Sequence, residues 1–130
     1  LCAQNGAKLK YVKPHGALYH DMSNNQKVLD AMCKVIKAVD KNLALVVQAG
    51  DKNLGNNENV TFLHEVFADR GYDGIEMLAR GEQGAVLDSP DAIVKQYQRF
   101  LSEKLFKIDT ICFHSDNSAS VEALKRLNHA

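Results

Sequence analysis

The chain has 130 residues, 45% of them apolar and 25% charged, enough for one domain with a sizeable core. Sixteen basic residues balance sixteen acidic ones, so no global field draws it to nucleic acid or to an anionic membrane, and a small polar metabolite is the default partner. No run of eighteen apolar residues reads as a membrane span, and no basic segment before an apolar one reads as a signal peptide.

Cys2, Cys33 and Cys112 show no C-x-x-C or ligand-like spacing and read as free thiols of a reducing compartment, which points to the cytoplasm. The first residue is Leu1 rather than Met, which suggests an N-terminally truncated piece of a longer product, forming a single domain over residues 1–130.

Lys8 to Val12 predicts a short strand, ended by Lys13-Pro14-His15-Gly16 and then a helical turn or two through Ala17-Leu18-Tyr19. Ser23-Asn24-Asn25 offers caps for a helix of about Asn25 to Val39, with Val28, Met32, Val35, Ile36 and Val39 as its buried face. Leu43 to Val47 is a continuous apolar run, as expected of a strand covered on both sides. Lys52 to Asn59, rich in Asn and Gly, reads as a loop or frayed helix, and Phe62 to Ala68 as the next strand, which stops at Asp69-Arg70-Gly71-Tyr72.

Asp73 to Leu87 has mixed character and the length of a lid or binding segment. Ser89-Pro90-Asp91 starts a helix whose inward stripe is expected at Ile93, Val94, Tyr97, Leu101 and Leu105. Asp109 to Phe113 is the last strand, ending at His114-Ser115-Asp116. Asn117 or Ser118 then caps a helix with Val121, Leu124 and Leu127 inside. Strands alternating with helices predict an α/β protein with a mainly parallel sheet.

In such sheets ligands sit where strands end, so three tips are expected to gather at one cavity. His15 suits proton transfer near neutral pH, Lys13 offers a fixed charge for an anionic group, and Gly16 a close backbone approach. The plainer reading of Lys13 and His15 is a solvated loop. Asp69 is a candidate catalytic carboxylate and Arg70 a planar clamp for a carboxylate or phosphate, against the alternative of a local ion pair between them. Arg80 is a second clamp or a solvated loop charge. His114 is a second proton carrier, and Asp116 precedes a helix start whose N-H groups suit an anion, unless it is only a cap. No His spacing supports a metal site, and no P-loop, dinucleotide fingerprint or G-x-S-x-G elbow occurs.

Taken together, Val12-Lys13-Pro14-His15-Gly16-Ala17-Leu18-Tyr19, Glu65-Val66-Phe67-Ala68-Asp69-Arg70-Gly71-Tyr72, Leu78 with Arg80 and Gly84-Ala85-Val86, and Cys112-Phe113-His114-Ser115-Asp116 resemble in order and spacing the LamB/YcsF family. The resemblance runs from Tyr11 to Leu127 and implies part of a seven-stranded β/α barrel related to the glycoside hydrolase and deacetylase superfamily. It further implies ATP-dependent opening of the lactam 5-oxoproline to L-glutamate, with 5-oxoprolinase B and C type partner subunits. An Asn-x-Asp-x-Gly-Glu motif and a Cys-Gly-x-His-x-Gly-Asp motif of the family are not found here, and Ser115 stands where the family usually has Gly. The alternatives are a non-catalytic remnant or binding domain, and a carbohydrate or amide deacetylase on a related barrel. An opened barrel would expose strand edges, so a homo-oligomer is also expected.

Overall fold

The computed structural model describes residues 2–56, 59–103 and 107–129, arranged as two compact units, Leu1–His64 and Glu65–Ala130. In the first unit β1 (Tyr11–Val12) is followed by α1 (Ala17–Asn24), α2 (Gln26–Val39) and β2 (Ala44–Gln48). β1 and β2 run parallel, Tyr11 opposite Ala44 and Val12 opposite Leu45. A short 3-10 segment, Lys52–Asn56, occupies part of the stretch expected to be a loop or a frayed helix. β1 is only two residues long, against the five expected. Leu9 and Tyr11 are exposed, so this end of the run has no apolar cover to hold a longer strand.

α2 starts where its sequence says it should, because the Asn25 side chain accepts a hydrogen bond from the Lys27 amide. Its buried face matches the expected one at Ile36 and departs from it elsewhere. Leu29, Cys33 and Ile36 are buried, while Val35 and Val39 are 59% and 70% exposed. The apolar arc of this helix is wide enough to contain two overlapping stripes, and packing selects the one rotated by a residue. Val28 and Met32 lie at its margin, half-buried against the core. That core joins Met22, Leu29, Cys33 and Ile36 to Leu43, Leu45 and Val47 of the strand region. β2 is buried on both faces from Ala44 to Val47, as its unbroken apolar run predicts. Burial also pushes the Cys33 thiol up, assisted by the nearby Asp30 charge, so it behaves as an inert apolar group.

β3 (Thr61–Phe67) straddles the boundary between the units. In the second unit it runs parallel to β6 (Thr110–Cys112), with Glu65, Val66 and Phe67 opposite Thr110, Ile111 and Cys112. Between them come a small antiparallel hairpin, β4 (Tyr72–Asp73) and β5 (Glu76–Met77), and the helix α3 (Pro90–Ser102); α4 (Ser118–Asn128) follows β6. The parallel α/β class expected from the sequence is therefore the observed one.

Pro90 opens α3 and Asp91 lies in its first turn, but Ser89 reaches the cap position without a side-chain cap bond. The residues buried by α3 are Ile93, Gln96 and Phe100, and Leu101 is 60% exposed. The expected stripe is again displaced, because the polar Gln96 turns inward to meet main-chain carbonyls at the end of β3. Leu105 lies outside the described residues. α4 packs on α3 and buries the small residues Ala119, Ser120 and Ala123, leaving Val121 and Leu124 exposed. Small side chains allow two helices to approach closely, so here size rather than hydrophobicity chooses the inner face. The core of this unit joins Ala68, Ile93, Ala119 and Ala123, with Leu87, Ile111 and Phe113 against it.

Candidate functional site

Asp69 follows directly on the β3 core, and the strand ends there because the chain must turn into the 70–87 segment. The Ala68 amide still donates to the Cys112 carbonyl at 2.9 Å, extending the strand pairing by one residue, and Asp69 leaves the sheet just beyond. Its carboxylate is deeply placed, with a side-chain exposure of 3%. A buried carboxylate needs donors for its oxygens. Oδ1 meets Nδ1 of His114 at 2.7 Å, and Oδ2 accepts from Nδ2 of Asn117 at 3.3 Å.

His114 stands two residues past β6, side by side with the β3 tip because β3 and β6 pair in parallel. Its ring stacks on Phe67 with centroids 5.3 Å apart and planes within 6°. An ionised carboxylate only accepts, so the Asp69 contact calls for the proton on Nδ1. Nε2 is then left for other partners, and the imidazole retains 30% side-chain exposure. The arrangement can take or give one proton through an oriented histidine.

Arg70 is nearly buried, at 4% exposure, and its guanidinium braces the following segment: Nε donates to the Ala85 carbonyl and Nη2 to the Leu78 carbonyl, both at 2.8 Å. Burial pulls its pKa below the usual arginine value, and the nearby Arg80 charge adds to this. Asp69 is thus engaged by His114 and Asn117, and Arg70 by carbonyls, in place of a simple ion pair between neighbours. The Gly71 amide donates to Ala85 O at 3.0 Å and the Leu87 amide to Asp69 O at 2.9 Å, so the segment is fastened along its length. The Arg99 side chain reaches the Gly74 carbonyl at 2.9 Å and ties the hairpin to α3. Tyr72 accepts from the Phe67 amide at 3.0 Å, and burial raises its phenol to about 12.

Gln96 acts on the same tip from the side of α3. Its Nε2 lies 3.2 Å from Phe67 O, 2.8 Å from Ala68 O and 2.6 Å from Arg70 O, the carbonyls that bracket Asp69. These contacts hold the strand end in place and account for a polar residue on the inner face of the helix.

A hollow of about 300 Å³ opens beside this arrangement, lined by Asp69, Arg70, Arg80, Val86, His114, Asp116, Asn117 and Ser118. Five of the residues singled out in the sequence therefore share one hollow in the second unit: Asp69, Arg70, Arg80, His114 and Asp116. Lys13, His15 and Gly16 form the β1–α1 corner of the first unit, where Pro14 is buried and His15 exposed. Gly16 precedes α1 with φ 59° and ψ −135°, a conformation that only glycine adopts without strain.

Asn117 fills the cap of α4 from within. Its Oδ1 accepts from the Ala119 and Ser120 amides at 3.1 and 3.4 Å, and those N-H groups are directed at it. Sequence reasoning named Asn117 and Ser118 only as alternative caps and missed Gln96, Phe67 and Val86 as contributors. The spacing Ile93, Gln96, Phe100 is itself a helical stripe and is the signal that would have exposed Gln96. Among the described residues no group of three or more His, Cys, Asp or Glu is disposed to hold a metal ion, and no helix is long and apolar enough to cross a membrane.

The model of the LamB/YcsF family matches residues 1–130. The 5-oxoprolinase A-type subunit of Pseudomonas fluorescens (strain Pf0-1) is 34% identical over 146 residues, covering 100% of this chain and 58% of its own length. Its counterpart of the same name in Natranaerobius thermophilus is 36% identical over 142 residues, covering 98% and 55%. A crystal structure of a lactam utilization protein from Thermus thermophilus superposes with a TM-score of 0.82 at 25% identity, over 97% of this chain and 58% of that one. The chain thus spans somewhat more than half the length of the relatives it matches. With a match along its whole length and the α/β architecture of that neighbour, this chain belongs to the LamB/YcsF family.

Proposed function

We propose that the second unit supplies the proton-transfer group of a lactam hydrolase, acting in ATP-dependent opening of 5-oxoproline to L-glutamate within a multi-subunit 5-oxoprolinase. The observation that carries this is the Asp69–His114 contact at 2.7 Å, opening on a hollow that also presents Arg80. Amide hydrolysis requires a proton for the departing nitrogen. Asp69 holds the His114 imidazole with Nδ1 toward the carboxylate, and Nε2 exchanges the proton with the ring nitrogen. Arg80 pairs with the substrate carboxylate, and Val86 contributes apolar surface for the ring methylenes. Asp116 and Ser118 offer further polar contacts at the same rim.

A hollow of about 300 Å³ suits a small amino-acid-derived molecule in size, and because its two guanidiniums are offset by two carboxylates, Arg80 is the charge left to face a substrate carboxylate. The hollow does not match a triphosphate, which needs more compensating charge. ATP therefore belongs to the complex as a whole in this proposal. The relatives are named as one subunit of an enzyme, which supports the presence of others; B and C type subunits are the proposed partners.

The test is glutamate release from 5-oxoproline, measured with ATP and the partner subunits on the natural product that carries this chain. Activity that falls with His114→Gln and Asp69→Asn supports the reading. Undiminished release with His114→Gln overturns it, and the same result with His15→Ala removes His15, the rival proton carrier, from the reaction.

A further inference from the structure

We propose that Asn117 is a positioning residue for His114: its amide fixes the plane of the Asp69 carboxylate and so decides which imidazole nitrogen carries the proton. The inference rests on the reading of His114 as the proton-transfer group and goes further by naming what sets its tautomer.

The Asn117 amide has one acceptor and two donor hydrogens, and the structure uses all of them. Oδ1 takes the Ala119 and Ser120 amides at 3.1 and 3.4 Å; Nδ2 gives to Leu87 O at 2.9 Å and to Asp69 Oδ2 at 3.3 Å. The orientation of the amide is therefore determined by its neighbours, because the flipped form would set N-H groups against N-H groups and oxygen against oxygen. Capping alone needs only the oxygen, and Ser, Thr or Asp would supply it equally well. The donor half of Asn117 is surplus to the helix and is spent on Asp69 and on the segment that carries Arg80.

Asp69 needs that donor. A carboxylate turns easily about its last side-chain bond. One hydrogen bond, at Oδ1, leaves its plane undetermined. The second, at Oδ2, fixes the plane and presents Oδ1 to His114 Nδ1. Stacking on Phe67 sets the plane of the imidazole but is indifferent to where its proton sits. Ring orientation thus comes from Phe67, and the tautomer from Asp69 as held by Asn117.

The experiment is nitrogen NMR of the imidazoles in this chain at alkaline pH, where an imidazole is neutral, with His114→Gln used to assign the His114 signals. The unchanged chain is expected to show the proton on Nδ1. Asn117→Ser keeps a capping oxygen, and its shorter side chain withdraws the donor from Asp69 Oδ2. It is expected to shift the tautomer ratio toward Nε2–H by about tenfold, because a carboxylate whose plane is no longer held makes a weaker charge-assisted bond to the proton on Nδ1. Retained dispersion of the Ala119 to Ala123 amide signals shows that α4 is intact. Should Asn117→Ser not fold, Asn117→Thr, which also keeps a capping oxygen and adds no charge beside Asp69, decides by the same readout. An unchanged tautomer ratio overturns the proposal. That outcome leaves His114 as proton carrier untouched, whereas full activity of His114→Gln would defeat the proton-transfer reading without bearing on the tautomer.

Discussion

Gly71 packs against the carbonyl of Gly84 so closely that a side-chain carbon on Gly71 would overlap it. The contact joins the start of the 71–87 segment to its return, next to the Gly71 N-H bond to Ala85 O. Gly71→Ala is expected to push the two backbones apart and cost about 1–3 kcal/mol, the usual penalty of overpacking where backbone must move. Urea unfolding checks the magnitude. Faster proteolytic cutting within residues 72–87 checks the location.

The two amide hydrogens of Gln96 serve the β3 tip, nearest to Ala68 O and Arg70 O, so its replacement leaves buried acceptors without their donor. Gln96→Leu is expected to lower stability by about 1–3 kcal/mol. Gln96→Glu is expected to be worse, since a carboxylate would face carbonyl oxygens. The order of the two unfolding midpoints tests the assignment, and a Glu variant as stable as the native chain would refute it.

Asp69 and His114 are expected to act as one unit. Asp69→Asn and His114→Gln should each reduce turnover by about 10²–10⁴-fold, and the double variant by little more than the worse single one. Multiplicative losses in steady-state kinetics would show that the two side chains work separately.

Tyr72 gives the second unit a dependence on alkaline pH. Burial favours the neutral phenol and raises it to about 12, above its ordinary value of 10.0. The contribution to stability is therefore fully present below the unfolded value, and it is lost as pH rises through the interval between the two. The size is on the order of 2 kcal/mol. Unfolding midpoints followed from about pH 9 to 12 should fall over that range, and the fall should flatten in Tyr72→Phe. The same variant loses the acceptor for the Phe67 amide, so it starts from a lower stability at neutral pH.

The sequence was most legible where one local rule acted without competition. The Asn25 cap, Pro90 at the head of α3 and the unbroken run of β2 each reflect a single preference, and each is found in place. Helix faces were less legible because hydrophobicity was not the deciding quantity. In α4 close packing admitted Ala119 and Ala123 over Val121 and Leu124, and in α3 three carbonyls drew Gln96 inward. The grouping of Asp69 with His114 followed from strands ending side by side, since parallel pairing of β3 with β6 brings two distant tips together. The partners of those tips did not follow, because Asn117 and Gln96 act through amide geometry that a one-letter pattern does not encode.

The bracing of the 78–87 stretch by Arg70 has a consequence for change over time. The bonds that secure this stretch end on main-chain oxygens of Leu78, Ala85 and Leu87, atoms that every substitution preserves. Arg80 and Val86 can therefore be exchanged without dismantling the scaffold that presents them, and the preference of the hollow is free to drift while its frame stays constant.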